Sequence, residues 1–341
     1  MGWQRQLLAI TLAASLQSVG PALAQDWPTR PVTMVISFPA GGSTDIFGRI
    51  IAPRLSELLG QQVIVENIVG AGALGGAYRV AKAAPDGYQF VMGHLGTHAL
   101  YQTIYKNPLY DAATDFAPVA LLVEQPQVQV TRKDLPANDL PEFIAYAKAN
   151  QATMQYGSGG AHSPTYLNCA LLNTAIGVNV THVPYSGGAP AMQDLIAGRI
   201  DYMCAGLAEV KPQVEGNRIK AVAILAKNRS PVLPNLPTAH EQGLTDFKTS
   251  IWFAFFLPKG TPPPIVQKLN DATVTAMNTP SVQQRLQELG VTVVAPERQS
   301  PEYLQKFVVS EIEKWAPTIR RANIKVDLGF NEMPNICLGP N

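Results

Sequence analysis

Ser158 and His162 stand four residues apart in the segment YGSGGAHSP (156–164), and a hydroxyl beside an imidazole could serve nucleophilic hydrolysis. The nucleophile elbow G-x-S-x-G needs Gly at 156, where this chain has Tyr, and a His so near in sequence does not imply a preassembled triad. His94 and His98 follow a strand-like run, but two His without a carboxylate cluster make a poor zinc site. Gly70-Ala71-Gly72-Ala73-Leu74-Gly75 is a literal G-x-G-x-x-G, the pattern of a dinucleotide loop. The acid expected after the second strand is missing, since Asp86 lies in a turn before a strand, and residues 68–70 loosen the strand-to-loop junction. No Gly-Lys-Ser/Thr follows any of these loops, so none is a Walker A motif.

A capture chemistry fits better. In Phe38-Pro39-Ala40-Gly41-Gly42-Ser43-Thr44-Asp45 a strand gives way to a helix. Gly41 and Gly42 admit close approach of a ligand to backbone, and Ser43 or Thr44 can cap the helix. Free N–H groups at a helix start attract an anion, worth about 0.3–2 kcal/mol. Asp45 would repel an anion there, so it is assigned to bonding with its own backbone. Ser158, Gly159, Ala161, His162 and Ser163 form a second such junction, and Tyr185-Ser186-Gly187-Gly188-Ala189 a third, with Pro190 in the first helical turn. His94 and Thr97 can line the same cleft. No nucleophile–base pair, metal cluster or cofactor motif accompanies these loops, so no cofactor and no metal is expected.

These junctions require an alternating α/β chain. Apolar spacing predicts strands at 33–38, 62–66 and 88–93 with helices at 44–59 and 73–83 between them, the order of a mostly parallel sheet covered by helices. Residues 119–131 form a long extended stretch broken by Pro126. A second series follows: helices at 140–150, 164–176, 189–197 and 210–216, and strands at 154–157, 180–184, 200–205 and 219–226. A Pro-rich link (230–238) precedes a strand at 250–257, then helices at 263–278, 281–289 and 301–322 with a strand at 291–294. Two extended crossings, near 120–130 and 245–257, suit a chain that leaves one domain and returns. Lobe 1 is therefore read as 26–124 plus 248–330 and lobe 2 as 125–247, a hinged clam with its ligand between the lobes.

Composition bounds the rest. The 341 residues favour two domains over one core. With 26 Lys+Arg against 25 Asp+Glu, nothing suggests a nucleic-acid partner. Arg5, the apolar run 7–16 and Ala22-Leu23-Ala24 read as a secretory signal cleaved after Ala24, too short to span a bilayer. Loss of Arg5 leaves a formally neutral mature chain, exported to the periplasm in a bacterium. The three Cys match no zinc spacing. Cys169 and Cys204 are expected as buried free thiols, able to pair only if the fold brings them within about 7 Å. Cys337 lies in a Pro/Gly/Asn-rich tail (331–341) expected to be disordered.

The segments WPTRPVTMVISFPAGGSTDIFGR (27–49), VENIVGAGALGGAYRVAKAAPDGYQFVMG (65–93), YGSGGAHSPTYL (156–167), VPYSGGAPAMQDLIAGRIDYM (183–203) and LPNLPTAHEQG (233–243) resemble the tripartite tricarboxylate transporter substrate-binding proteins, the Bug family. The resemblance implies a two-lobed, type II-like periplasmic binding protein, each lobe a mostly parallel sheet flanked by helices, joined by two hinge strands. It also implies a small organic carboxylate ligand, integral-membrane permease partners, a monomeric receptor and no catalysis. The family's carboxylate loop maps onto Phe38–Thr44, with Phe38, Ala40, Gly41, Gly42, Ser43 and Thr44 expected at the ligand. Opposing loops map onto Ser158–Ser163 and Tyr185–Ala189, with Phe38 and Tyr185 as walls and Cys204-Ala205-Gly206 closing the pocket from the second lobe. His94, Leu95, Ala161 and His162 depart from the usual pattern. Two alternatives stay open: a sensory module serving a receptor kinase, and a hydrolase using Ser158 and His162.

Overall fold

A computed structural model describes residues 27–70, 74–160 and 163–321. The expected signal segment, Ala161, His162, Cys337 and the tail lie outside the described residues.

The first half is built on β1 (Val32–Ile36), α1 (Ser43–Leu59), β2 (Val63–Asn67), α2 (Gly75–Ala81) and β3 (Gln89–His94). Phe47, Ile51, Leu55 and Leu59 recur every four residues along α1, so one stripe meets the sheet and is buried. Each large apolar side chain so buried contributes about 1.5–3 kcal/mol. Gly60, in the left-handed conformation at φ 69°, ends the helix. After β3 comes a segment not anticipated from the sequence: a π-helical turn at Gly96–Leu100, then α3 (Tyr101–Ile104).

β4 (Phe116–Arg132) is one continuous strand of 17 residues, and Pro126 does not break it. Pro126 lies where β4 leaves one sheet for the other. It pairs with Ser250 there, and the ladder absorbs its irregularities as bulges near Pro118 and Leu121. The second half follows with α4 (Leu140–Asn150), β5 (Gln155–Ser158), α5 (Pro164–Ile176), β6 (Thr181–Pro184), α6 (Gly188–Ile196), β7 (Tyr202–Gly206), α7 (Leu207–Glu215) and β8 (Ile219–Ile224). β9 (Ser250–Pro258) returns beside β4, and α8 (Pro263–Met277), α9 (Pro280–Glu288), β10 (Thr292–Val293) and α10 (Pro301–Arg321) complete the first half.

The strand order is β2-β1-β3-β9-β4-β7-β5-β6, with β8 and β10 also paired to β4. Parallel pairing runs through β2-β1-β3 at one end and β7-β5-β6 at the other, while the long central strands pair antiparallel. The fold is thus α/β, in two halves that share β4. The βα junctions of both halves face each other across it. Among the described residues no helix is long and apolar enough to cross a membrane.

Cys169 on α5 and Cys204 on β7 are joined as a disulfide with Cα atoms 5.4 Å apart, which corrects the expectation of free thiols. Neighbouring elements of one half bring together residues 35 apart in sequence. Replacing both cysteines by serine should lower stability by about 2–4 kcal/mol. The check is the denaturant midpoint of the double variant against the oxidised parent.

Candidate functional site

Where the βα junctions converge, the two halves flank a small cavity of about 50 Å³. Of the residues expected at the site, Phe38, Gly42, Ser43, Thr44, His94, Gly159, Ser163 and Gly188 line it. Pro39 and Gly206, in segments that the resemblance placed at the pocket, line it too, and Pro164, Thr165, Glu209, Ile251 and Phe253 line it without having been anticipated. No Lys or Arg is among these residues.

The start of α1 carries the main polar feature. Its N-cap is Gly42, not Ser43 or Thr44, and no side chain of its own caps it. The cap is supplied by the other half. Glu209, in the first turn of α7, accepts from the Ser43 N–H at 2.7 Å and from the Ser43 hydroxyl at 2.8 Å, both through Oε1. Glu209 Oε2 is shut from solvent and has no hydrogen-bond partner. Burial pushes the Glu209 carboxyl above its ordinary range, against the opposing pull of the Ser43 bonds. Gln125 of β4 completes the junction. With its amide turned as the bonding demands, it donates to Ser43 Oγ at 3.0 Å and accepts from the N–H groups of Leu207 and Ala208 at 3.0 and 2.7 Å. One side chain on the shared strand thereby ties the start of α1 to that of α7.

Asp45 bonds to its own loop, as expected, accepting from Gly41 N–H at 3.0 Å. It also accepts from Arg49 and Asn67. Burial raises its pKa, but Arg49, Gly41 and Asn67 outweigh that and hold it below the usual carboxylate value. Its charge is consumed in shaping the loop.

The other junctions differ in openness. Ser163 caps α5 by accepting from Tyr166 N–H, and Gly159 N–H is taken by Thr165 Oγ1 at 2.9 Å. That helix start is satisfied within its own loop. α6 begins at Gly187 with no side-chain cap. A Cβ at Gly187 would lie 2.5 Å from Pro39 Cδ, so glycine here permits the halves to touch. A Cβ at Gly41 would lie 3.7 Å from Ala189 Cβ on the same seam, and φ of 85° favours glycine there. Ala40 and Gly41 are exposed at the lip rather than inside the cavity.

His94 forms a wall, its ring 4.6 Å from Phe38 and 5.8 Å from Phe253 between centroids. Its Nδ1 accepts from Gly96 N–H at 2.8 Å, so the ring proton resides on Nε2. Burial lowers its pKa to about 3, and it stays neutral at physiological pH. Thr97 is fully buried behind it and accepts from His94 N–H, so it positions the wall rather than touching the cavity. Ser158 is also fully buried. Its hydroxyl meets His182 Nε2 at 2.7 Å and donates to the Gly160 carbonyl, turned away from the cavity. Tyr185 does not line the cavity, and its hydroxyl donates to Asp194 at 2.8 Å. Cys204 is bonded to Cys169 inside a core, and Gly206, two residues on, takes the cavity position expected of it.

The arrangement can hold a small anion at helix starts that have no side-chain cap of their own, those of α1 and α6, beside a neutral, partly aromatic wall. A family model described as the tripartite tricarboxylate transporter family receptor matches residues 47–324. The protein BugT of Bordetella pertussis is 31% identical over 94% of this chain and 98% of its own length. The solved structure of MatC from Rhodopseudomonas palustris with bound malate shares 41% identity and a TM-score of 0.83, covering 86% of this chain and all of that one. A second R. palustris structure, with adipate, shares 36% identity and a TM-score of 0.84, over 88% of this chain and 100% of that one.

The buried histidines make stability depend on pH. Burial lowers His94 to about 3, lowers His98 well below its ordinary value and lowers His182 to about 4. The unfolded chain takes up these protons near pH 6.5, before the folded chain does, so stability falls as pH drops below about 6.5. The loss should continue to about pH 3, with a slope of up to about 1.4 kcal/mol per pH unit for each proton taken up. Denaturant unfolding between pH 7.5 and 4 reads the slope. His98→Phe, which keeps an aromatic ring against Phe256, should reduce it.

Proposed function

The chain belongs to the tripartite tricarboxylate transporter receptor family, the Bug-type periplasmic solute-binding proteins, and from that premise we propose that it captures a small organic carboxylate and delivers it to a two-part membrane permease. One observation carries the reading: the start of α1 already holds a carboxylate, that of Glu209, on Ser43 N–H and Oγ. A loop that binds an internal carboxylate in this way has the donors for an external one. The malate and adipate in the two related structures are small carboxylates of the same kind.

In this reading lobe 1 comprises 26–124 plus 248–330 and lobe 2 comprises 125–247, closing about β4 and the adjoining return at Thr249 and Ser250. The seam formed by Pro39 against Gly187 and Gly41 against Ala189 is the closed contact. The Cys169–Cys204 bond suits an oxidising compartment, in keeping with export and with cleavage after Ala24. The receptor acts as a monomer, without cofactor and without catalysis. A hydrolytic role through Ser158 has little support, because a molecule in the cavity would not meet its hydroxyl.

The test is a thermal-shift screen against di- and tricarboxylates, amino acids and aromatic acids. A true ligand at a hundredfold its Kd stabilises by about 2.7 kcal/mol. Absence of any shift across the panel would refute carboxylate capture. Gly187→Ala, whose methyl would collide with Pro39, should weaken the ligand at least tenfold while leaving unliganded stability within about 0.5 kcal/mol of the parent. Unchanged affinity in that variant would show that this seam does not close on the ligand.

A further inference from the structure

We propose that Glu209 is a specificity residue which selects carboxylates that also carry a cationic nitrogen, so that the natural ligand is a zwitterion rather than a plain di- or tricarboxylate. The inference rests on the carboxylate-capture reading and narrows it.

The argument begins with charge. Glu209 and His94 are the ionisable side chains among the described residues lining the cavity, and His94 is neutral. Glu209 is therefore a half-buried acid with no basic side chain beside it among the described residues. Its Oε1 is met by Ser43, but its Oε2 has no partner and is closed from solvent. A buried carboxylate without a compensating donor is costly, and such groups are ordinarily paired.

Next comes competition. A ligand carboxylate seated on Ser43 displaces Glu209 from its donors. Two carboxylates then share a small, shielded space, and like charges at close range disfavour one another strongly. A second ligand carboxylate adds to the repulsion. An ammonium group on the ligand removes it, because its N–H donors can satisfy Glu209 while the carboxylate satisfies the helix start. Oε2 lies beside Gly188, where a Cβ would come within 2.7 Å, so the glycine at the α6 start is what gives the acid its place there. Among the described residues no side chain supplies the missing positive charge at the cavity, and a ligand ammonium can.

Isothermal titration with matched pairs differing only by an ammonium group tests this: succinate and aspartate, glutarate and glutamate, butyrate and 4-aminobutyrate. In the unaltered protein the amino member should bind at least tenfold tighter in the pair that fits the cavity. In Glu209→Gln that preference should vanish, and the plain acid should bind more tightly than it does to the parent. A plain acid binding as well as its amino partner in the unaltered protein overturns the proposal while leaving carboxylate capture intact. So does a preference that survives Glu209→Gln. Failure of every acid to bind the unaltered protein refutes carboxylate capture itself. The comparison within the unaltered protein decides the matter even if the variant does not fold.

Discussion

The first N–H groups of α1 must find acceptors, and the cleft is organised around that requirement. A helix leaves its opening donors without partners inside the helix. Two helices here solve this with a local side chain, α4 with Asp139 and α5 with Ser163. α1 does not: Gly42 offers no side chain, and Asp45 is engaged with Gly41, Arg49 and Asn67. The demand is passed across the cleft to Glu209. A helix start that relies on the opposite half for its cap couples local satisfaction to the relative position of the halves. Any anion that takes over the cap enters the same coupling.

The long strand β4 makes this coupling geometrically stable. Gln125, Gln127 and Gln129 lie on one of its faces and are fully buried, while Val128 and Val130 point the other way into the core under α6. Period-two alternation ordinarily marks a strand with one face in water. Here both faces are covered, because β4 runs between two helix-flanked halves and pairs with β7, β8, β9 and β10 along its length. Gln125 occupies the point on this strand from which one amide reaches both Ser43 and the start of α7. Closure about β4 would therefore move the two helix starts relative to a side chain that contacts both.

Much of this was legible from residue types. Strand–glycine–helix junctions mark where backbone donors gather, and Phe38, Gly42, Ser43, Thr44, Gly159 and Gly188 do line the cavity. What escaped has physical causes. Glu209 was missed because apolar spacing starts the helix at Val210, whereas it begins at Leu207, directly after β7. That placement turns a nominal loop residue into a first-turn acid aimed across the cleft. Ser158 pairs with His182, 24 residues away and on the adjacent strand, rather than with a neighbour in sequence. The Cys169–Cys204 bond joins a helix to a strand in contact only through the fold. The turn at 96–100 follows a buried strand without Gly/Pro punctuation beyond Gly96, so no boundary announces it.

A neutral chain can still bind charge, because the relevant charge is local and carried by backbone. A lysine ammonium would bind an anion more strongly at long range, but it is strongly hydrated and its stem is flexible. A cleft lined by such groups resists drying on closure. Helix starts are rigid, already desolvated in part, and hold donors at fixed spacing, so closing over an anion costs less reorganisation. The same logic explains why one acid can be decisive here. Among many surface charges Glu209 would be screened, but in a cavity whose described lining holds no Lys or Arg it sets the sign of the environment. Discrimination then works by leaving the wrong ligand's neighbours unpaired, which in a buried site is a stronger filter than the fit of an extra methylene.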